Sequence, residues 1–459
     1  MQLVAGVDSS TQSTKVVVCD TQSGEIVASG RSTHPPVTAP RSEQDPRSWW
    51  SAFEDAWSRA GSPDVAAISV GGQQHGMVAL DDADQPVHPA KLWNDMESSE
   101  DASALVDRFG GPDAWAEMVG SVPVAAFTVT KLAWLERTRP DAFAQISKVL
   151  LPHDYVTHRL TGNYTTDRGD ASGTGYWAPS TGTYLWEVLA AIADRDWSDV
   201  VPRVLGPLDA AGEWRGALVA PGTGDNMAAA LGIGLEPGDA AISIGTSGTV
   251  FSVSPTPTAD PSGALAGFAD ATGRFLPLVC TSNAAKVLDA FRMLLGVGHS
   301  EFDELALAAA PGGPVLLPYF DGERTPNRPD ATGVLEGLRS DVTREQFARA
   351  AIDGIACGLL DGVDALRTHA PVDGTITLVG GGARSVALQR VIAGLVDRPV
   401  VVSDVDEAVA LGAAVQATAV LEHVDHATVQ RRWRLGAGSP VEPADVHDAL
   451  DRYARLRDS

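Results

Sequence analysis

The chain has 459 residues, so two or three domains are expected rather than a single core. Its 34 Lys and Arg against 59 Asp and Glu give a formal charge of -25, which argues against nucleic acid and anionic membrane surfaces as partners but does not exclude ATP. Three separated cysteines and the lack of a leader or a long apolar segment indicate a reduced, cytoplasmic protein without a disulfide framework or a membrane span.

The N-terminal residues predict a strand, a hydroxyl-rich turn and a second strand. Residues 3–7 and 15–20 are the two strands, and a third strand at 25–29 would complete a meander. The turn, DSSTQST, is longer than a tight hairpin needs, and its hydroxyls and backbone N–H groups can bind phosphate oxygens. Such turns are common, so Asp8 is explained equally well as a turn-forming residue.

Polar residues follow two strands of the next segment. A Trp-rich helix at 47–60 precedes a buried strand at 65–70, which leads into GGQQHG, and AKLWND at 90–95 predicts another short strand. Polar groups at strand ends favour a cleft over a core. Planar polar groups with an aromatic ring suit a polyol, and the candidates are Gln74, His75, Trp93, Asn94 and Asp95. His75 alone would more often be structural, and no second histidine lies at metal-ligand spacing.

A glycine-rich turn precedes an alanine-rich helix in APGTGDNMAAALG, residues 220–232. This places Asp225 and Asn226 at a helix start, where free N–H groups and the macrodipole favour an acidic residue. The local sequence favours neither of two roles for Asp225, a simple N-cap or a functional carboxylate.

The strand–turn–strand pattern recurs at residues 240–253 around the turn GTSG, which contains Gly245 and Thr246. Two such hairpins predict an internal duplication with a phosphate loop in each half, although two ordinary hairpins would explain the same pattern. A third glycine cluster, with Gly381 and Gly382, lies between a strand at 375–379 and a helix at 386–395. This arrangement is typical of nucleotide binding, and close packing alone is the competing explanation.

The remaining segments are mostly helical. We predict helices at 131–137, 154–160, 343–368, 408–420 and 442–457, an irregular connector at 194–216, and a domain boundary after residue 236.

Taken in order, twelve segments resemble the FGGY family of carbohydrate kinases over residues 3–419. No single segment is decisive, but twelve in the family's order are specific. They are GVDSSTQSTKVVV, SEQDPRSWW, GGQQHG, LWND, KLAWL, LLPHDYVTHRLTG, GTGDN, SIGTSGTV, PYFDGERTPNRP, GVLEGL with the following QFARAAIDG, LVGGGARS and ALGAA.

The resemblance implies an α/β fold of two ribonuclease-H-like (actin-like ATPase) domains, residues 1–236 and 237–459, that flank a central cleft and close on ATP and a sugar. It implies Asp225 as the catalytic residue, with Mg²⁺ associated with Asp8 and Asp225. The implied sugar-binding residues are Gln74, His75, Trp93, Asn94, Asp95, Asp225 and Asn226. The implied nucleotide-binding residues are Thr11, Ser13, Lys15, Gly245, Thr246, Gly381 and Gly382.

The implied activity is transfer of the ATP γ-phosphoryl group to an open-chain ketopentose, D-xylulose first, with ribulose, a pentitol, glycerol and gluconate as alternatives. The chain departs from the family where DSSTQST replaces an Asp-x-Gly-Thr form and where the sugar pair is Gln-His rather than the common Met-His. These departures leave open the backbone approach to the γ-phosphate and the pentulose preference. Chaperone ATPases and sugar-sensing repressors share the fold, but the expected peptide-binding domain and helix-turn-helix are not seen. The oligomeric state is left open, with a homodimer as one alternative.

Overall fold

The computed structural model describes residues 2–37 and 41–459, so Met1 and residues 38–40 of the predicted first domain lie outside the described residues. The chain divides into two compact units. Unit 1 comprises Met1–Gly234, Pro255–Leu276 and Glu407–Gly436, and unit 2 comprises Leu235–Ser254, Pro277–Asp406 and Ala437–Ser459. Within the described part of the chain, no helix has the length and apolar character needed to cross a membrane.

The strands are short and distributed over both units. They are β1 (Leu3–Ser9), β2 (Ser13–Asp20), β3 (Ile26–Thr33), β4 (Glu43–Gln44), β5 (Ala67–Gly72), β6 (Val78–Leu80), β7 (Ala90–Lys91), β8 (Lys148–Leu150), β9 (Thr165–Asp167), β10 (Trp177–Ala178), β11 (Thr183–Tyr184), β12 (Arg203–Leu205), β13 (Gly212–Trp214), β14 (Ala217–Val219), β15 (Thr223–Gly224), β16 (Gly238–Ile244), β17 (Gly248–Ser252), β18 (Leu265–Ala269), β19 (Phe275–Thr281), β20 (Val315–Leu317), β21 (Val334–Glu336), β22 (Val372–Val379), β23 (Val400–Ser403) and β24 (Gly438–Pro440).

The described residues form sixteen α-helices. They are α1 (Pro46–Arg59), α2 (Ser99–Arg108), α3 (Pro112–Val119), α4 (Thr128–Thr138), α5 (Pro140–Phe143), α6 (Pro152–Thr161), α7 (Arg168–Ala171), α8 (Trp186–Ile192), α9 (Asp225–Gly232), α10 (Ala285–Leu295), α11 (His299–Ala308), α12 (Arg344–Arg367), α13 (Val386–Leu395), α14 (Ala408–Glu422), α15 (His426–Trp433) and α16 (Ala449–Arg457). The predicted helix at 343–368 is confirmed as α12, whose N-cap Thr343 accepts the Gln346 N–H in a capping box.

The sheet of unit 1 has the strand order β13-β14-β5-β1-β2-β3, with β15 also paired to β5. Strands β1, β2 and β3 form the predicted antiparallel meander, and β5 runs parallel to β1. The aromatic side chains of α1 pack with the valines of β1 and β2 in one buried cluster, in which Trp49 and Phe53 are at most 1% exposed. These large aromatic groups bury the most apolar surface per residue and hold α1 on the sheet.

The sheet of unit 2 repeats this connectivity. Its order is β19-β17-β16-β22-β23-β24, with β16 and β17 antiparallel and β22 parallel to β16. Each unit therefore has a hairpin followed by a parallel strand beside its first strand. The internal duplication predicted from the two hairpins is confirmed at the level of strand order.

Helix α14 belongs to unit 1, although it lies far beyond the predicted boundary after residue 236. It approaches β1 and α9 closely because glycines, which lack a Cβ atom, lie at the points of contact. A Cβ atom added at Gly6 would lie 1.8 Å from the Ala410 oxygen, and one added at Gly412 would lie 1.8 Å from the Ala228 oxygen. A single boundary after residue 236 therefore does not assign α14 to the unit in which it packs.

The substitution Gly412→Ala is expected to lower the melting temperature of unit 1 by about 4–8 °C, which corresponds to overpacking by about 2 kcal/mol. The added methyl group meets backbone of α9, which cannot rotate away as a side chain could. Gly358→Ala in α12 is the control, since its added Cβ would lie no closer than 3.5 Å to a neighbour. Calorimetry should show an unchanged or higher melting temperature for the control, because alanine favours helix. Equal melting temperatures for both variants would contradict the packing argument.

Three predicted elements differ from the structure. The strand predicted at 90–95 ends at Lys91, because the following residues turn to place Asp95 among backbone N–H groups. The C-terminal helix predicted at 442–457 begins only at Ala449, after His447 adopts a left-handed φ of 45°. The connector at 194–216 contains the short strands β12 and β13.

Candidate active site

Three parallel strand ends bring two predicted carboxylates, the metal-associated Asp8 and the catalytic Asp225, to one edge of the unit 1 sheet. Asp8, near the end of β1, lies opposite Gly71 of β5, and Thr223 of β15 lies opposite Gly71 from the other side. Asp225 follows β15 directly as the first residue of α9. Carboxyl ends of parallel strands are where α/β folds bind ligands, so this edge is the candidate site.

Asp8 is 4% exposed and lies in a charged cluster. Its Oδ2 atom is 3.7 Å from Lys15 Nζ, which is 2.7 Å from Glu407 Oε2, and Ser10 donates its hydroxyl to Asp8 Oδ1. Burial raises the pKa of Asp8, and the Glu407 charge raises it further, while Ser10 and Lys15 oppose the change. A buried carboxylate of raised pKa is stabilised by an added cation.

Asp225 does not occupy the N-cap position, which belongs to Gly224. Its Oδ1 atom accepts the Asn226 N–H at 2.9 Å and the Asn226 side-chain amide at 3.1 Å. Burial, and then the charge of Asp8, raise the pKa of Asp225 to about 7. A carboxyl group with this pKa exchanges protons readily near neutral pH, which a helix cap does not require.

Asn226 connects Asp225 to the first residue of the predicted sugar pair. Its Nδ2 donates to Gln74 Oε1 at 2.8 Å, which fixes the orientation of the Gln74 amide. The Nε2 atom of Gln74 is buried and has no hydrogen-bond partner among residues 2–37 and 41–459. A buried donor without a partner costs free energy unless a ligand atom accepts from it.

His75 is held rigidly in an unusual backbone conformation. Its φ is 64°, and its Nδ1–H donates to the Gly173 carbonyl at 2.8 Å, which assigns the proton to Nδ1. Its ring stacks on Phe127 with centroids 5.1 Å apart and contacts Phe268 at 5.3 Å. A Cβ atom added at Gly173 would lie 2.5 Å from the His75 ring, so only glycine allows this contact.

The loop after β7 contributes Trp93 and Asn94 to this region. Trp93 Nε1 donates to Thr11 Oγ1 at 3.0 Å, which joins this loop to the turn predicted as the first phosphate loop. Asn94 Oδ1 is buried and accepts no hydrogen bond within the described residues. In the turn between β1 and β2, the Ser13 carbonyl accepts the Ser10 N–H at 3.1 Å and closes that turn.

The structure places Asp95 inside the protein, where other residues contact its carboxylate. It is fully buried, and its carboxylate accepts the N–H groups of Ser42 and Glu97 at 2.9 and 3.0 Å. Lys91 Nζ lies 2.9 Å from Asp95, 3.1 Å from Glu43 and 2.6 Å from Glu97. These three carboxylates have the spacing of a metal site, but the Lys91 ammonium already supplies the positive charge.

Two residues of this region were missed by the sequence predictions. Gln73 is 1% exposed, accepts the Thr11 hydroxyl at 3.1 Å, and leaves its Nε2 unpaired in the described part of the chain. The two adjacent glutamines of GGQQHG, which follow a buried strand, could have indicated Gln73 as a site residue. Glu407 pairs with Lys15 but lies 392 positions from it in the sequence, so no local pattern indicated this contact.

In unit 2, the two glycine loops meet at Ile244. Gly245 and Thr246 are exposed in the turn after β16, and their carbonyls accept N–H groups from the start of α10. A Cβ atom added at Gly382 would lie 2.4 Å from Ile244 Cγ2, whereas one added at Gly381 would meet nothing within 4 Å. Close packing therefore explains Gly382, and it does not explain Gly381.

Comparison with known proteins assigns the family. Models of the FGGY family of carbohydrate kinases match residues 3–232 with the N-terminal domain and residues 240–421 with the C-terminal domain. A xylulose kinase of Streptomyces coelicolor is 48% identical over 97% of this chain and 94% of its own length. One of Streptomyces rubiginosus is 47% identical over 98% and 95%. The crystal structure of xylulose kinase from Bifidobacterium adolescentis superposes with a TM-score of 0.87 at 39% identity, covering 99% of each chain.

The chain belongs to the FGGY family of carbohydrate kinases. It is a phosphotransferase with an alcohol acceptor, and ATP is its co-substrate. The predicted family and the ribonuclease-H-like fold are confirmed.

Proposed function

We propose that this kinase transfers the γ-phosphoryl group of ATP to the 5-hydroxyl of D-xylulose, giving D-xylulose 5-phosphate and ADP. The observation that carries the proposal is the hydrogen-bonded row of Asp225, Asn226 and Gln74, which ends in an unpaired buried donor. It combines a carboxylate able to take a hydroxyl proton with an amide able to hold a neighbouring oxygen. The name shared by the relatives of 47–48% identity supports D-xylulose as the acceptor.

In this mechanism Asp225 orients the acceptor hydroxyl and accepts its proton. Phosphoryl transfer has a loose transition state in which that proton moves late, so much of the value of Asp225 lies in positioning. Gln74, His75 and Asn94 bind sugar oxygens, and the Trp93 ring supports the carbon face. We assign Asp95 to holding this loop rather than to the sugar, since both its oxygens are bonded within the protein.

We propose that Lys15 fixes Asp8 and that Thr11 and Ser13 shape the first phosphate loop. Gly245, Thr246 and Gly381 are proposed to contact the nucleotide, with Gly382 allowing the loop to pack on Ile244.

Asp8 and Asp225 fit a Mg²⁺ ion by their chemistry. Mg²⁺ prefers carboxylate oxygens and retained water, and the pKa of each of these carboxyl groups is raised by burial and a nearby negative charge. When bound, the ion would neutralise negative charge on the phosphates. We propose Asp8 as its main protein partner, which leaves Asp225 to the hydroxyl.

A panel of acceptors tests the function. ADP release is measured with Mg·ATP and D-xylulose, D-ribulose, xylitol, D-arabinitol, glycerol and gluconate, and the phosphorylated carbon is identified by NMR. We expect kcat/KM for D-xylulose to exceed that for every other acceptor by about 10-fold or more, since buried polar groups discriminate strongly between hydroxyl arrangements. A higher kcat/KM for any other acceptor would reject D-xylulose as the substrate.

The pH profile of kcat is expected to fall on the acid side with an apparent pKa near 7, the value to which burial and Asp8 raise Asp225. Only the ionised carboxylate accepts a proton, so turnover rises as pH increases through this value and is lost below it. The measurement is kcat at saturating substrates from about pH 5 to about pH 9, with the melting temperature recorded at each pH as a control. A profile that stays flat down to the acid end while the protein remains folded would argue against Asp225 as the base.

A further inference from the structure

The backbone just before Asp225 contains a break in strand pairing. Val219 of β14 lies opposite Ile68 of β5, whereas Thr223 of β15 lies opposite Gly71, so one extra residue is inserted between them. The interruption falls at Pro221 and Gly222, and Gly222 has a left-handed φ of 81°. Such bulges redirect the chain beside functional sites and leave backbone groups that need other partners.

Gln416 supplies the partners that β5 does not. Its Oε1 accepts the Gly222 N–H at 3.0 Å, and its Nε2 donates to the Gly222 carbonyl at 3.0 Å. Ser69 of β5 donates its hydroxyl to the same Oε1 at 2.6 Å. Gln416 is 1% exposed and lies in α14, a helix otherwise composed almost entirely of apolar residues. A side-chain amide has a donor and an acceptor side by side, so it can pair with both backbone groups of one residue.

The other side of the same segment is bound by Asp167. Its Oδ2 accepts the Thr223 hydroxyl at 2.7 Å and the Gly169 N–H at 2.7 Å. Asp167 and Thr223 are both buried, so this bond is shielded from water. The two residues that immediately precede Gly224 are therefore held by separate side chains from different parts of unit 1.

A buried ionic cluster fixes Asp167. His153 Nε2 lies 3.3 Å from Asp167 Oδ1, 3.2 Å from Asp154 Oδ1 and 3.4 Å from Asp170 Oδ2, and all four side chains are almost completely buried. Burial lowers the pKa of His153, but the interactions with these three carboxyl groups outweigh burial and raise it to about 9. The cluster also abuts the bulge, since a Cβ atom added at Gly222 would lie 2.6 Å from His153 Nδ1.

We propose that Gln416 and the Asp167–Thr223 pair are positioning residues that set the location of Asp225 by clamping Gly222 and Thr223. The inference rests on the proposed function, because it takes Asp225 as the group that meets the acceptor hydroxyl. Neither Gln416 nor Asp167 contacts the sugar in this proposal. Their loss should therefore affect turnover more than substrate affinity, since a misplacement of about 1 Å can cost on the order of 100-fold in rate.

Gln416→Leu tests one side of the clamp, with Thr418→Val as the matched control. Thr418 is fully buried on the same helix, and its hydroxyl donates only to Ala414 of that helix at 2.9 Å. We expect Gln416→Leu to lower kcat by about 10–100-fold with both KM values within about threefold, and Thr418→Val to keep kcat within about twofold. A kcat within about twofold of wild type for Gln416→Leu, or an equal loss in the control at equal melting temperature, would overturn the proposal.

The Thr223 side gives an independent test if Gln416→Leu does not fold. Thr223→Ser keeps the hydroxyl and should retain near-normal kcat, whereas Thr223→Val should lose about 10-fold. Equal activity of the two variants would reject the clamp.

Hydrogen exchange separates this inference from the substrate assignment. The peptide spanning residues 220–226 should exchange faster in Gln416→Leu than in wild type or Thr418→Val, whether or not any sugar is turned over. Unchanged exchange rejects the clamp. A wild-type chain that phosphorylates none of the acceptors rejects the proposed function and leaves the exchange result to decide the clamp.

Discussion

Replacing Asp225 with asparagine is expected to lower kcat by roughly 10²–10⁴ while leaving sugar affinity largely unchanged. Asparagine keeps the size of the side chain and one oxygen for the Asn226 N–H, but an amide does not accept the hydroxyl proton. The groups proposed to bind the sugar, Gln74 and His75 among them, keep their own anchors in Asn226 and Gly173. Turnover is measured with the best acceptor, and sugar binding is measured separately by calorimetry.

The control for this variant is Asp425→Asn. Asp425 is the N-cap of α15 and accepts the Thr428 N–H at 2.6 Å, so it has the helix-capping role that is the alternative explanation for Asp225. Asparagine caps helices as well as aspartate does, so Asp425→Asn should leave both kcat and melting temperature nearly unchanged. If Asp225→Asn behaves in the same way, the carboxylate serves only the helix, and its proposed role as base is wrong.

The sequence predicted the residues at the strand ends that the fold brings together at this candidate site. Asp8 lies near the end of β1, Gln74 follows β5 and Asp225 follows β15, and the pairing of these strands brings their ends together. Asp95 was predicted to bind sugar on the same rule. Its contacts with Ser42, Glu97 and Lys91 could not be predicted from the local sequence, because they depend on where other loops return.

Contacts between residues far apart in the chain could not be predicted from local sequence patterns. Local patterns identified the amphipathic helices and both hairpins, since periodicity and turn residues act over a few positions. They did not show that α14 returns to unit 1, or that Gln416 in this apolar helix pairs with Gly222. The absence of a Cβ atom at Gly6 and Gly412 lets α14 pack closely on β1 and α9. The residues that surround each glycine in the sequence do not indicate which distant element will pack against it.

The substitution Asp8→Asn is expected to lower kcat by roughly 100-fold at moderate Mg²⁺ and to raise the Mg²⁺ concentration needed for half-maximal turnover. An amide keeps one oxygen but removes the charge that favours a divalent cation. The same substitution should move the acid limb of the pH profile to lower pH. The Asp8 charge is one of the causes that raise the pKa of Asp225, so removing it lets Asp225 ionise more easily.

In Asp8→Asn, weaker Mg²⁺ binding lowers kcat below neutral pH, whereas the lower pKa of Asp225 raises the fraction of kcat that is retained there. The variant therefore tests both roles of Asp8. Loss of metal affinity lowers the whole profile, while the altered pKa of Asp225 preserves a larger fraction of that reduced rate at acid pH. Glu407→Gln is the matched control, since Glu407 pairs with Lys15 at 2.7 Å but is not among the charges that raise the pKa of Asp225. It should leave the position of the acid limb unchanged. An acid limb that stays in place in Asp8→Asn would show that the two carboxylates do not interact, and unchanged Mg²⁺ dependence would remove Asp8 from the proposed metal site.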